Sequence, residues 1–122
     1  MPGHTHRLVA YTVGRLANPA HNSCSVYDYA CDRRVPISGI VDPQSVLLFD
    51  HEVGAHFSGC ADAGEFSLAH EGSGVRVTLK VEPDGRFTGF DYSTGCYFRG
   101  NVFGTSITLY NVCEDRYYSF ST

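Results

Sequence analysis

A chain of 122 residues, 43% hydrophobic and 18% charged, is long enough for one packed domain over residues 1–122 and too short for two. Nine Lys+Arg against 13 Asp+Glu give a net charge of -4. With no basic run, this excludes the electrostatic footprint of a nucleic-acid or anionic-membrane binder, and neither partner is expected. Thirteen glycines, eight Tyr, eight Phe and no Trp suit short strands and tight turns.

Residues 1–6 (Met-Pro-Gly-His-Thr-His) read as a flexible tail. They lack the basic-then-apolar order of a secretory signal, and no run approaches the roughly 20 apolar residues of a membrane helix, so a cytoplasmic location is the expectation. Leu8 to Val13 reads as a strand, and Gly14 to Ser23, with Pro19, as irregular. Cys24, Cys31, Cys60, Cys96 and Cys113 are odd in number and form no C-x-x-C pair, which predicts mostly free thiols and no zinc knuckle.

From Val26 onward the chain repeats itself. Val26-Tyr27-Asp28-Tyr29, Leu48-Phe49-Asp50-His51, Gly89-Phe90-Asp91-Tyr92 and Leu109-Tyr110-Asn111-Val112 superimpose, and Leu68-Ala69-His70-Glu71 joins them by spacing. Each is followed by a turn signal, near Asp32, Gly54, Gly74, Gly95 and Asp115. A second turn series falls at Asp42-Pro43, Asp62-Ala63-Gly64, Pro83-Asp84-Gly85 and Phe103-Gly104. Two interleaved series describe a roughly 21-residue hairpin repeat and an antiparallel meander of about 10–11 short strands. The strands are placed at 24–29, 34–40, 45–51, 55–60, 65–71, 75–82, 86–92, 96–101, 105–112 and 116–121. An all-β domain with so many strands must remove its edges, and an up-and-down β-barrel is predicted, with a β-trefoil or a two-sheet sandwich as alternatives.

Alternation selects the faces. Val75, Val77, Leu79 and Val81 lie on one side, and the same parity turns Val26, Val46, Leu48, Phe57, Phe66, Leu68, Phe87, Phe98, Ile107, Leu109, Tyr118 and Phe120 inward. Tyr27, Phe49, Phe90 and Tyr110 fall on the outer face, as a layer of cross-strand packing or a homo-oligomer contact. Two-residue turns place His51 opposite His56, a weak metal pair that parity separates from Asp50. No cofactor is expected.

The inward parity also gathers Asp28, Asp50, His70, Asp91 and Asn111 at the first-series end. Such a ring at a barrel mouth suits a small-molecule site, and this is the leading functional expectation. Asp50, His70 and Asp91, from consecutive hairpins, are also the candidates for acid/base catalysis of a cyclisation, isomerisation or hydrolysis. Against both stands the habit of Asx side chains to accept hydrogen bonds from turn amides. The third expectation is a structural module that self-associates through Tyr27, Phe49, Phe90 and Tyr110.

Overall fold

The computed structural model describes residues 3–21 and 23–122. One helix, α1 (Gly3–Ala17), precedes ten strands: β1 (Ser25–Asp28), β2 (Arg33–Val41), β3 (Ser45–Asp50), β4 (Ala55–Asp62), β5 (Glu65–His70), β6 (Val75–Val81), β7 (Arg86–Asp91), β8 (Cys96–Phe103), β9 (Ser106–Asn111) and β10 (Arg116–Ser121). Every strand pairs antiparallel with its neighbours in sequence, and β10 returns to β1 through Tyr27↔Ser121 and Asp28↔Phe120. The meander therefore closes into a ten-stranded barrel, as the repeat implies, and is neither a trefoil nor a sandwich.

The first-series hairpins close around four residues. Asp50 pairs with Ala55 and Asp91 with Cys96, and the amides of Gly54 and Gly95 donate to the carbonyls of Asp50 and Asp91. The fourth turn residue has positive φ, at Gly54, Gly74 and Gly95, but also at Asp32 (55°) and Asp115 (51°). Where Asp stands in this left-handed position, the outer aromatic residue of the same hairpin is Tyr, and its hydroxyl donates to that Asp: Tyr27 to Asp32, Tyr110 to Asp115. Where Gly stands there, at 54 and 95, the outer aromatic residue is Phe49 or Phe90. The hydrogen bond thus accompanies the less favourable αL residue.

Inside the wall, Phe87 pairs with Gly100 and Gly89 with Phe98. A Cβ on Gly100 would lie 1.9 Å from the Thr108 carbonyl oxygen and 2.6 Å from Cζ of Phe87. Glycine here is a matter of space, because each ring lies over the bare backbone of its partner.

The largest departure from the sequence reading is α1. Leu8 to Val13 was expected as a strand, and residues 3–6 as tail; instead they are helical, and the helix runs inside the barrel. Residues 1–2 of the expected tail lie outside the described residues. Every residue from Thr5 to Val13 is buried, polar ones included, so the helix has no solvent-facing side along this stretch. A run with apolar or β-branched residues at nearly all positions satisfies strand and helix templates alike. Dimensions favour the helix: 15 residues span about 22 Å, close to the height of a wall built from tilted strands of about six to eight residues. Gly14 lets the helix approach the wall, its Cβ position being 3.1–3.2 Å from Thr122 and Ile107. The helix packs on β9, β1, β10 and β2 more than on β4, β5 and β7. The core is thus this helix plus the inward side chains Val26, Leu48, Phe57, Leu79, Phe87 and Leu109.

Two smaller corrections follow from register. Cys96 and Cys113 form a disulfide across the β7–β8 and β9–β10 turns, whereas Cys24, Cys31 and Cys60 are free and exposed. The expectation of free thiols holds for those three only. His51 does not face His56, because four-residue turns pair His56 with Phe49 and leave His51 in the turn. Among the described residues no helix is long and apolar enough to cross a membrane.

Candidate functional site

Asp28, Asp50, His70, Asp91 and Asn111 are all buried and all lie at the first-series end. Each is held by its own turn. The Asp28 carboxylate accepts from the Ala30 amide (2.9 Å), that of Asp50 from the amides of Glu52 (2.8 Å) and Val53 (3.3 Å), and that of Asp91 from the Ser93 amide (2.9 Å) and hydroxyl (2.6 Å). Asn111 Oδ1 accepts from the Glu114 amide, and His70 Nδ1 meets the Ser73 hydroxyl at 3.0 Å. Burial works to raise the Asp91 pKa, but hydrogen bonds, those from Ser93 foremost, together outweigh it and hold the carboxyl below the usual range. The hairpin repeat has copied one capping device around the rim.

The first turns of α1 occupy the mouth that this ring encloses. The Arg7 guanidinium, itself buried, lies 3.5 Å from Asp50, 4.0 Å from Asp28 and 3.3 Å from Glu52, and Arg33 closes on Glu52 from outside. Next to it the His6 ring stacks on Tyr118, with centroids 4.1 Å apart, and its Nε2 accepts from Asn111 Nδ2 at 3.3 Å. Sequence reasoning missed Arg7 and His6 because it placed them in or beside a tail. Asp28 and Asp50 are therefore turn caps and counter-ions to a core helix, and Asp91 caps its own turn.

Burial lowers the His6 pKa from 6.5 to about 4, against the opposing pull of Glu114. Protonation would also set an N–H against the Asn111 N–H. The unfolded chain binds this proton below pH 6.5 and the folded one does not until about pH 4, so His6 contributes stability in full above pH 6.5 and loses it as pH falls through that window. The expected loss is on the order of 3 kcal/mol. Urea unfolding of the protein and of His6→Phe between pH 7 and 4 checks it: the variant should show the shallower decline, and parallel curves would remove His6 as the cause.

The outer wall carries the remaining aromatic residues. Tyr27, Phe49, Phe90 and Tyr110 are only partly exposed, each clasped by neighbours: Tyr27 by Tyr29 (4.8 Å), Phe49 by His51 and His56 (4.9 Å each), Phe90 by Tyr92 (4.9 Å) and Tyr97 (4.7 Å), Tyr110 by Tyr117 (4.7 Å). Arg34 lies 5.7 Å over Tyr27 and Arg99 lies 4.9 Å over Tyr110. The belt is interrupted at β5 and β6, where Ala69 occupies the aromatic position. There the wall holds a groove of about 420 Å³, lined by Ser67, Ala69, Arg76, Thr78 and Tyr92 with the backbone of Leu68 and Val77 as floor. The Tyr92 amide donates to the Arg76 carbonyl at 2.9 Å and fixes that wall of the groove.

Ser67, Arg76, Thr78 and Tyr92 were not singled out as site residues from the sequence. The available signal was a negative one: Ala69 in the one segment that joins the repeat by spacing alone. The second-series mouth holds a wider recess of about 660 Å³ beside Leu16, Phe66 and Val102, with Glu82 and Asp84 on its rim, the latter paired with Arg86 at 2.8 Å. No group of three or more potential metal ligands occurs among the described residues. Comparison with protein-family models, with curated proteins and with solved structures finds no match for this chain.

Proposed function

We propose that the protein is a binding module that takes a small organic anion in the outer groove of β5, β6 and the β7–β8 turn. The interior that the sequence suggested as a ligand chamber is filled by α1, and its rim carboxylates are engaged by turn amides and Arg7. The observation that carries the reading is Arg76. It lines the groove beside Tyr92 and, among the described residues, has neither an ion pair nor an aromatic ring beneath it. Arg7, Arg33, Arg34, Arg86, Arg99 and Arg116 each have one. An exposed guanidinium with no ion-pair partner among the described residues, beside an aromatic wall, is a suitable receptor for a carboxylate.

The test is an amide chemical-shift titration of the whole protein with benzoate and, separately, with cyclohexanecarboxylate. The expected result is saturable movement of Ser67, Ala69, Arg76, Thr78 and Tyr92, at about millimolar concentration for ligands so small. Movement confined to core residues such as Val26 and Leu109, or no movement with either acid, contradicts the reading.

A further inference from the structure

We propose that the ligand of this groove is a planar aromatic carboxylate, whose ring fills the place that the outward aromatic side chain occupies in the sister hairpins. The inference rests on the reading of the groove as a ligand site and adds the ligand class. Its basis is internal to the repeat. In the β1–β2 hairpin Tyr27 stands directly opposite Arg34, which covers the tyrosine ring. In the β5–β6 hairpin Ala69 stands directly opposite Arg76 in the same register. The two hairpins share the arginine and differ in the ring opposite it. Elsewhere on the belt the ring also meets edge-on or tilted aromatic neighbours, and here Tyr92, itself edge-on to Phe90, borders the space above Ala69 from the next hairpin. A guest ring would find the two kinds of partner that Tyr27 and Tyr110 have on the same belt, a guanidinium and a tyrosine.

The anionic substituent follows from charge. Glu71, the carboxylate nearest in sequence on β5's turn, lies 3.5 Å from His56 Nδ1 and makes no ion pair with Arg76. Ser67 and Thr78 face each other across β5 and β6 and add two hydroxyl donors to the same groove. Arg76 and these hydroxyls satisfy a carboxylate, and Tyr92 and the methyl of Ala69 satisfy the ring face.

Ala69→Phe is the decisive variant, because it supplies in the chain what the ligand is said to supply from outside. The expected result is a loss of 4-hydroxybenzoate binding by at least about tenfold, together with a melting temperature that rises by a few degrees as a cross-strand aromatic contact is restored. In the unaltered protein 4-hydroxybenzoate should bind at least about fivefold more tightly than cyclohexanecarboxylate, which has the charge and bulk but no π face. Equal affinities overturn the aromatic class while leaving the groove as an anion site; failure of both acids overturns the groove itself. Undiminished binding by Ala69→Phe overturns the proposed position of the ring. Should that variant not fold, Arg76→Gln must weaken 4-hydroxybenzoate by about tenfold or more, and retention of its affinity overturns the proposal in the same way.

Discussion

Arg7→Met is expected to cost about 3–5 kcal/mol of folding stability, measured by urea or guanidinium unfolding. The methionine fills most of the volume of the arginine stem, so packing is a minor part of the loss. The major part is electrostatic: Asp28 and Asp50 are 3% and 0% exposed, and without the guanidinium they remain as two buried carboxylates facing a core helix. Turn amides satisfy one oxygen of each, which limits the penalty without removing it. Removing the charge on both sides should restore much of the stability, so Arg7→Met combined with Asp28→Asn and Asp50→Asn is expected to lie above the single variant. A loss under about 1 kcal/mol for Arg7→Met would mean that the guanidinium does not occupy the rim.

The barrel and its inward face were legible from the sequence, because each hairpin repeats an Asx or His at the same place and alternation survives through all five. Val26, Leu48, Phe57, Phe87, Phe98 and Leu109 are buried as their parity requires, and the five rim residues share one end. Tyr118, also assigned inward, is only half buried, because it lies at the rim with His6 against one face. Turn length was less accessible. Two-residue and four-residue turns preserve the same parity, and only the pairing of Asp50 with Ala55 and of Asp91 with Cys96 separates Phe49–His56 from the expected His51–His56. The disulfide was hidden for a related reason: Cys96 begins β8 and Cys113 follows β9, and their approach depends on how two turns lean at the rim.

The helix was illegible because amphipathic reading needs a solvent-facing side. His6, Arg7 and Thr12 look like part of the polar half of such a pattern, but each meets the wall or the helix itself: Arg7 the rim carboxylates, His6 Tyr118 and Asn111, and the Thr12 hydroxyl the Leu8 carbonyl at 2.8 Å. Polar residues here mark contacts with the barrel rim or with the helix backbone, not with water. The groove was illegible for the opposite reason. It arises from a side chain that is missing at position 69, and a gap gains meaning only once its neighbours have been placed in space.

The core is a helix threaded through a closed barrel, and its side chains occupy the interior. Amide hydrogen exchange on residues Leu8–Val13 tests it most directly. Helix amides enclosed by ten strands can exchange only when the whole barrel opens, so protection should equal that of β4–β9 and, for a stability in the ordinary range for a domain, amount to a factor of roughly 10⁴ or more. Exchange of Leu8–Val13 within minutes while the β4–β9 ladder stays protected would contradict the account, and would return the barrel interior to consideration as the binding site.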